Sequence, residues 1–485
     1  SSNPFVGCKS LTNVTLASNS TLNLFSESFK DLYTLQSVEL TVNKIIIGDN
    51  CFENCFNIQK KYYNENRRII IKSASLVEIG SQCFKKSSYL ESVEITGMQI
   101  NIKKESFLGC ISLSSFSIPN LPERPIIGIK NDIFVLGENC FEGCSSLTKF
   151  VCEKLCKARI SKQAFKGCNK LEKFSFTHAA TVIIEDECFV GLNNLKSILI
   201  QSDAVNLNNN WISNCLSVYS VTIESSQHIE VLSQWFQKCN SLASITLICD
   251  ANLVLTEGCF SGLPNLQTLE IKSGQITIKN NCINNCFASQ AYKRNSYSDS
   301  YSRNYIKLIS KSKVTIGSDS FNELFYLGSV EISGDQVSIG NNCFSLKKIG
   351  NLTNSIENIK IHSNNVGIEN NCFDCLCTLK SFNIQSKQVI IGKECFKKCD
   401  SLSSFSISDA SEIFLDSQLF EECSNLKNLQ LKSSSIIRPG LNCLSNSTGI
   451  EKVSLESKEV YIDKGCFFGC SSLVAFQITN CEQIT

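Results

Sequence analysis

Residues 389–407 read Val-Ile-Ile-Gly-Lys-Glu-Cys-Phe-Lys-Lys-Cys-Asp-Ser-Leu-Ser-Ser-Phe-Ser-Ile. The apolar residues fall into two groups around Phe396. Val389 and Ile391 precede it by seven and five positions, and Leu402, Phe405 and Ile407 follow it at offsets six, nine and eleven. Both groups alternate apolar with polar residues, the signature of short strands with one buried face. The pattern around this anchor is not unique to it. Equivalent anchors are Phe5, Phe29, Phe52, Phe84, Phe107, Phe141, Phe165, Phe189, Ile212, Phe236, Phe260, Ile283, Phe321, Phe344, Phe373, Phe420, Leu444 and Phe467. Where nothing is inserted they lie 23 or 24 residues apart, within the leucine-rich-repeat range and short of tetratricopeptide, ankyrin or propeller periods.

Each unit therefore reads as strand, tight turn, one or two helical turns and strand. The anchor and offsets three and six are expected on one face of a short helix, so that Phe107, Cys110 and Leu113 point together into the core. Several second-strand pairs run straight into glycine, as at Gly48, Gly80, Gly340 and Gly392, and these positions are assigned to a sharp change of direction. One unit buries too few side chains to offset the entropy of ordering two dozen backbones, so units must cap one another. The expected fold is a repeat solenoid: a leucine-rich-repeat curved rod of about 19–20 repeats, with two ladders of short parallel strands and short helical turns. Residues 1–485 are read as a single continuous solenoid with insertions near 59–68, 120–131, 289–304 and 350–354.

The stretches IGNNCF (339–344), NCFEGCSSLTKF (139–150) and ECFKKCDSLSSFSI (394–407) resemble the BspA-type leucine-rich repeats of bacterial and protist surface proteins, which recur as I-G-x-x-A-F-x-x-C-x-x-L-x-x-I-x-I. Cys usually stands here for the small residue before Phe, and the units at Ile212, Ile283 and Leu444 lack the aromatic. The resemblance implies a surface-displayed binding protein, used for adhesion to host proteins, other cells or matrix.

Twenty-two of the 28 cysteines obey the repeat, eleven just before an anchor and eleven three residues after it. Other units place Ser106, Ala164, Leu192, Trp211 or Trp235 at these positions, which neither a disulfide nor a metal would accept. The cysteines are thus read as small buried hydrophobes, mostly free thiols. Cys152 with Cys156, and Cys375 with Cys377, fall outside the register, yet no four-ligand spacing accompanies them. Trp211 and Trp235, in consecutive units, are expected to stack on each other.

Catalysis is not expected. The three histidines, His178, His228 and His362, are dispersed along the chain, and no phosphate loop, dinucleotide fingerprint, zinc helix or calcium loop is present. No cofactor or metal is implied. Lys plus Arg (46) and Asp plus Glu (45) nearly cancel, which argues against nucleic acid as partner, and no apolar run is long enough to cross a bilayer. The expected partner is a protein: a host, matrix or cell-surface protein, or a neighbour in an assembly. Neither end of the sequence shows a polar cap, so the terminal repeats are expected to be covered by further chain or by a partner.

Two candidate binding surfaces follow. The first is a rim built from the insertions, where aromatic and basic residues interleave: Lys60, Lys61, Tyr62, Tyr63, Arg67, Arg68, Tyr292, Lys293, Arg294, Tyr297, Tyr301, Arg303 and Tyr305. Tyr and Arg are enriched at interface hot spots. The second is the outward face of the L-x-L strands, offsets eight and ten, with Ser115, Ser117, Ser404 and Ser406 and with Glu39, Glu94, Glu270 and Glu331. The expected function is a non-enzymatic recognition or adhesion protein at the cell surface or outside the cell. The alternative is an intracellular scaffold bracing a cytoskeletal or other large assembly. Four glycosylation sequons, at Asn13, Asn19, Asn351 and Asn446, suit the first reading.

Overall fold

A computed structural model describes residues 4–58, 66–119, 133–152, 157–233, 235–288, 304–345 and 355–485. They form two compact units, Ser1–Gln227 with Gln234–Leu242, and His228–Ser233 with Ala243–Thr485. Each unit is a stack of the same coil. The L-x-L segment forms one parallel ladder, as in Ser381–Gln385, which pairs Phe382 with Phe405 and Ile384 with Ile407 of the next coil. The pair preceding the anchor forms a second parallel ladder, as in Gln388–Ile391, with Val389 opposite Ile413 and Ile391 opposite Leu415. In some coils the second segment follows the first without a break: Ser244–Leu255 is one strand whose pairing slips between Cys249 and Asn252. That slip is the corner where the coil turns from one ladder to the other.

The anchors form a column of stacked rings inside each unit. Phe52 and Phe84 lie 5.2 Å apart and 10° from parallel, Phe84 and Phe107 5.2 Å and 9°, Phe107 and Phe141 5.4 Å and 14°. The second unit repeats this with Phe321, Phe344, Phe373 and Phe396 at 4.7, 5.3 and 5.1 Å. Phe52 and Phe84 are 32 residues apart and Phe107 and Phe141 are 34 apart, yet their rings keep the ordinary spacing. The core on either side of these insertions is therefore continuous. Phe107, Cys110 and Leu113 are all fully buried, as the repeat pattern requires.

The helical turns are a correction. The described residues contain no helix, because the residues two before and two after the anchor adopt left-handed backbone: Gln82 and Lys86 around Phe84 have φ of 57° and 59°, and Glu394 and Lys398 around Phe396 have 57° and 58°. The amides of Gln82, Phe84 and Lys86 then point along the stack and donate to the carbonyls of Lys104, Ser106 and Leu108 at 3.0, 2.7 and 2.8 Å. Lys85 and Ser87 donate backward to Gln82 and Phe84 at 3.1 and 3.2 Å. A helix would use every amide within its own turn. Alternating the hand sends every other amide to the neighbouring coil, giving a third set of inter-coil bonds that offsets a cost of about 1–2 kcal/mol per left-handed residue.

Two local readings also change. Gly80 and Gly137 have no left-handed φ; a Cβ on Gly80 would sit 2.5 Å from the carbonyl carbon of Gly48, and one on Gly137 2.5 Å from that of Lys103. These glycines are required by the close approach of successive coils, not by the turn. Trp211 and Trp235 do meet, at 5.9 Å between ring centroids, but edge to face at 87°. Indoles attract when the positive edge of one meets the negative face of the other, an arrangement at least as favourable as a parallel stack.

Candidate binding surface

The outward positions of the first ladder alternate with the buried ones. In Ser329–Ser333, Val330 and Ile332 are buried while Ser329, Glu331 and Ser333 are half-buried and face out. Stacking places each outward residue beside its equivalents in the coils on either side, so polar side chains run in columns across the face. Ser381 Oγ donates to Asn358 Oδ1 at 2.6 Å, Ser406 Oγ to Asn383 Oδ1 at 2.6 Å, and Lys307 pairs with Glu331 at 3.2 Å. Shallow grooves run along the corner beside this face, one lined by Thr41, Asn43, Lys72 and Glu94 in the first unit, another by Ser404, Ser406, Gln430 and Lys432 in the second.

Of the rim residues, Lys60, Lys61, Tyr62, Tyr63, Tyr292, Lys293, Arg294, Tyr297, Tyr301 and Arg303 lie outside the described residues. The other three belong to the coil. Arg67 is buried at 3 % exposure, with its guanidinium 5.3 Å from the centre of the Tyr89 ring. That cation–π contact gives it a packing role. Arg68 opens the strand Arg68–Ser73 and Tyr305 opens the strand Tyr305–Ile316; neither is a loop residue, because ladder pairing with Ser37 and with Thr268 begins at these positions.

Arg68 and Tyr305 share more than that. Each is the first ladder residue after an insertion, and each reaches diagonally to the carboxylate two residues beyond its pairing partner. Arg68 Nη2 donates to Glu39 Oε1 at 2.8 Å, and Tyr305 Oη donates to Glu270 Oε1. The glutamate hydrogen bond, and after it burial, pushes the Tyr305 hydroxyl up to about 12. Two insertions in two different units thus rejoin the fold in the same way, with a long polar side chain tied to a glutamate on the outward face. Arg68 and Tyr305, candidates named from the insertions, thus belong to the strands of the outward face.

Two further columns escaped the sequence reading. Thiols three residues after the anchor donate to the anchor carbonyl of the preceding coil: Cys55 to Phe29 at 3.0 Å, Cys110 to Phe84 at 3.1 Å, Cys168 to Phe141 at 3.2 Å, Cys423 to Phe396 at 3.0 Å. Ser447 does the same to Phe420 at 2.5 Å. Thirteen residues after the anchor, Ser225, Ser273, Ser386 and Ser457 turn the corner, donating to Asp203, Ala251, Asn364 and Ser435 of the preceding coil at 3.1, 2.9, 3.0 and 2.8 Å. Recurrence of Ser at that offset was the available signal. Both columns add a side-chain donor to carbonyls at the turn and the corner, several of which also accept a backbone amide, as Phe84 does from Ser87 at 3.2 Å and Asn364 from Lys387 at 3.1 Å.

His362 is exposed on the outward face, 3.0 Å from Gln385, and His228 is exposed beside the strand Ile229–Val231. Among the described residues no three His, Cys, Asp or Glu side chains converge as metal ligands would, and Cys375 and Cys377 are thiols.

The family model described as the BspA type leucine rich repeat region (6 copies) matches residues 1–125, 62–183, 158–290, 293–411 and 389–485. Among solved structures, a leucine-rich repeat protein from Bacteroides ovatus is 17 % identical over 86 % of this chain and 88 % of its own, with a TM-score of 0.32. A leucine rich cell surface protein from Faecalibacterium prausnitzii is also 17 % identical, over 85 % and 88 %, with a TM-score of 0.23. No curated protein matches the chain.

Proposed function

Since the chain belongs to the BspA-type leucine-rich-repeat family, we propose that it is a non-enzymatic recognition protein displayed at the cell surface, which binds a protein partner through the outward face of its first ladder. The observation that carries this reading is the paired placement of Arg68 on Glu39 and Tyr305 on Glu270. It sets an arginine and a tyrosine, residues favoured at hot spots, among the hydroxyls, amides and Lys–Glu pairs of that face. Holding their side chains before binding lowers the entropy lost on association. In the same reading Lys60, Lys61, Tyr62 and Tyr63, which precede Arg68 in the first unit, and Tyr292, Lys293, Arg294, Tyr297, Tyr301 and Arg303, which precede Tyr305 in the second, add contacts to the partner. With charges nearly balanced, recognition would rest on shape and hydrogen bonding, and would change little with salt.

The test has two arms. Antibody to the chain should label intact, unpermeabilised cells, and the purified chain should bind surface or matrix proteins with affinity that falls at least tenfold in the double variant Arg68→Ala, Tyr305→Ala. Labelling only after permeabilisation would remove the surface assignment. Binding unchanged by the double variant would remove the face.

The second reading is an intracellular scaffold for a cytoskeletal or other large assembly. The described cysteines are thiols, and a thiol-rich core suits a reducing compartment. Glycans on Asn13, Asn19 or Asn446 would exclude it.

A further inference from the structure

Cys259 and Cys282 hold the pre-anchor position in successive coils of the second unit, and their sulfur atoms lie 3.2 Å apart. They are 2 % and 0 % exposed. In the same column elsewhere, thiols donate to carbonyls: Cys188 to Ser161 at 3.0 Å, Cys343 to Gly317 at 3.0 Å, Cys395 to Glu369 at 2.9 Å. Here the two sulfurs face each other, as thiols of this column also do between Cys343 and Cys372 and between Cys443 and Cys466. The amides of Gly258 and Phe260 donate to Asn281 and Cys282 carbonyls, both at 3.2 Å, so the coils are clamped in register on either side of the pair. Adjacent parallel segments spaced by about 4.8 Å fall within the range a disulfide spans. Closing the sulfurs to about 2.0 Å requires roughly an ångström of side-chain movement.

We propose that Cys259 and Cys282 form a latent oxidation site, at which an oxidant of the peroxide class joins the two coils through a disulfide. One sulfur, as thiolate, attacks a peroxide oxygen; the O–O bond breaks, the leaving hydroxide takes a proton to become water, and a sulfenic acid remains. The second sulfur attacks that sulfenic sulfur, the S–S bond forms, the S–O bond breaks, and a second water leaves. Two thiols lose two electrons and two protons, and one peroxide becomes two waters. Burial, and after it the hydrogen bond to Cys282, holds the Cys259 thiol well above its ordinary range. The first step therefore waits on local opening of the coil, and the linkage forms slowly in the folded chain and faster in sub-denaturing urea.

The reduced full-length chain, treated with hydrogen peroxide in sub-denaturing urea and returned to buffer, is read by intact mass and by peptide mapping without reduction. The expected result is a loss of about 2 Da, the two hydrogens, and a linked peptide containing Cys259 and Cys282. Its melting transition should rise by a few degrees and fall back with dithiothreitol. Cys282→Ser should abolish the linked peptide; if that variant fails to fold, the wild-type map still decides. Recovery of Cys259 and Cys282 as free thiols, as sulfinic or sulfonic acids, or linked to other cysteines would overturn the proposal.

Discussion

Tyr305 donates its hydroxyl hydrogen to the Glu270 carboxylate of the preceding coil, two residues along from the strand partner Thr268 that it pairs with. The diagonal is one that only a long side chain can cross, and it recurs at Arg68 and Glu39. Because both residues stand where an insertion rejoins the ladder, this contact fixes which side chains border the insertion on the outward face.

A titration follows from it. The folded state holds Tyr305 at about 12, above the unfolded value of about 10. Its contribution is therefore fully present below pH 10 and is lost as pH rises toward 12. A hydrogen bond to Glu459 likewise raises Tyr461, so ultraviolet difference titration should show a late tyrosine phase, and Glu270→Gln should return one tyrosine of it to the main group. The stabilisation at stake is small, below about 1 kcal/mol, since the pair is only partly buried.

Gly80→Ala should be far more damaging than Gly109→Ala. A Cβ at Gly80 meets backbone of the preceding coil at 2.5 and 2.6 Å, whereas one at Gly109, with φ of 73°, meets nothing within 4 Å. The first substitution must push neighbouring coils apart and should cost more than about 3 kcal/mol; the second carries only the left-handed penalty, about 1 kcal/mol. Urea midpoints of the two variants would show the gap. Equal midpoints would contradict close approach as the reason for glycine.

The thiol column makes a chemical prediction. Cys168 Sγ donates to the Phe141 carbonyl in the core, so Cys168→Ser, which keeps a donor as Ser447 does, should be tolerated better than Cys168→Val. The Phe141 carbonyl keeps the Cys144 amide at 3.0 Å, so loss of its second donor should cost only about 0.5–1.5 kcal/mol. If valine proves as stable as serine in urea unfolding, packing alone explains the column.

Alkylation should separate the cysteines by burial. Burial pushes the Cys51 and Cys215 thiols up to about 12 and Cys239 to about 11, so near pH 8 they carry almost no thiolate. Iodoacetamide should label exposed Cys8 promptly and leave those three unmodified until denaturant is added. Rapid native labelling of Cys51 would show that its coil is open.

The sequence exposed the period because the fold demands it: a core residue must recur each time the chain completes a coil, and Phe84, Phe107 and Phe141 do so whatever is inserted between them. What escaped was the segment around each anchor. Its apolar spacing of three is compatible with a helix, and the left-handed backbone two residues either side of the anchor turns that spacing into a third line of inter-coil bonds; Gly and Asn at these positions, as at Asn50, Asn54, Gly109 and Gly143, carried the signal that Gln82 and Lys86 hide. The candidate site was half legible for a similar reason. Composition picked out Tyr and Arg, but it could not tell Arg67, packed on Tyr89, from Arg68, tied to Glu39 on the outward face.

By itself the sequence determined that apolar residues at fixed offsets must be buried by neighbouring units, since no single unit can form a core. Tertiary structure alone decided how closely those units approach and in what register. Register places Cys259 against Cys282 and Tyr305 against Glu270, and it is set by backbone bonds between coils, whose partners lie one period away and leave no mark on the local sequence.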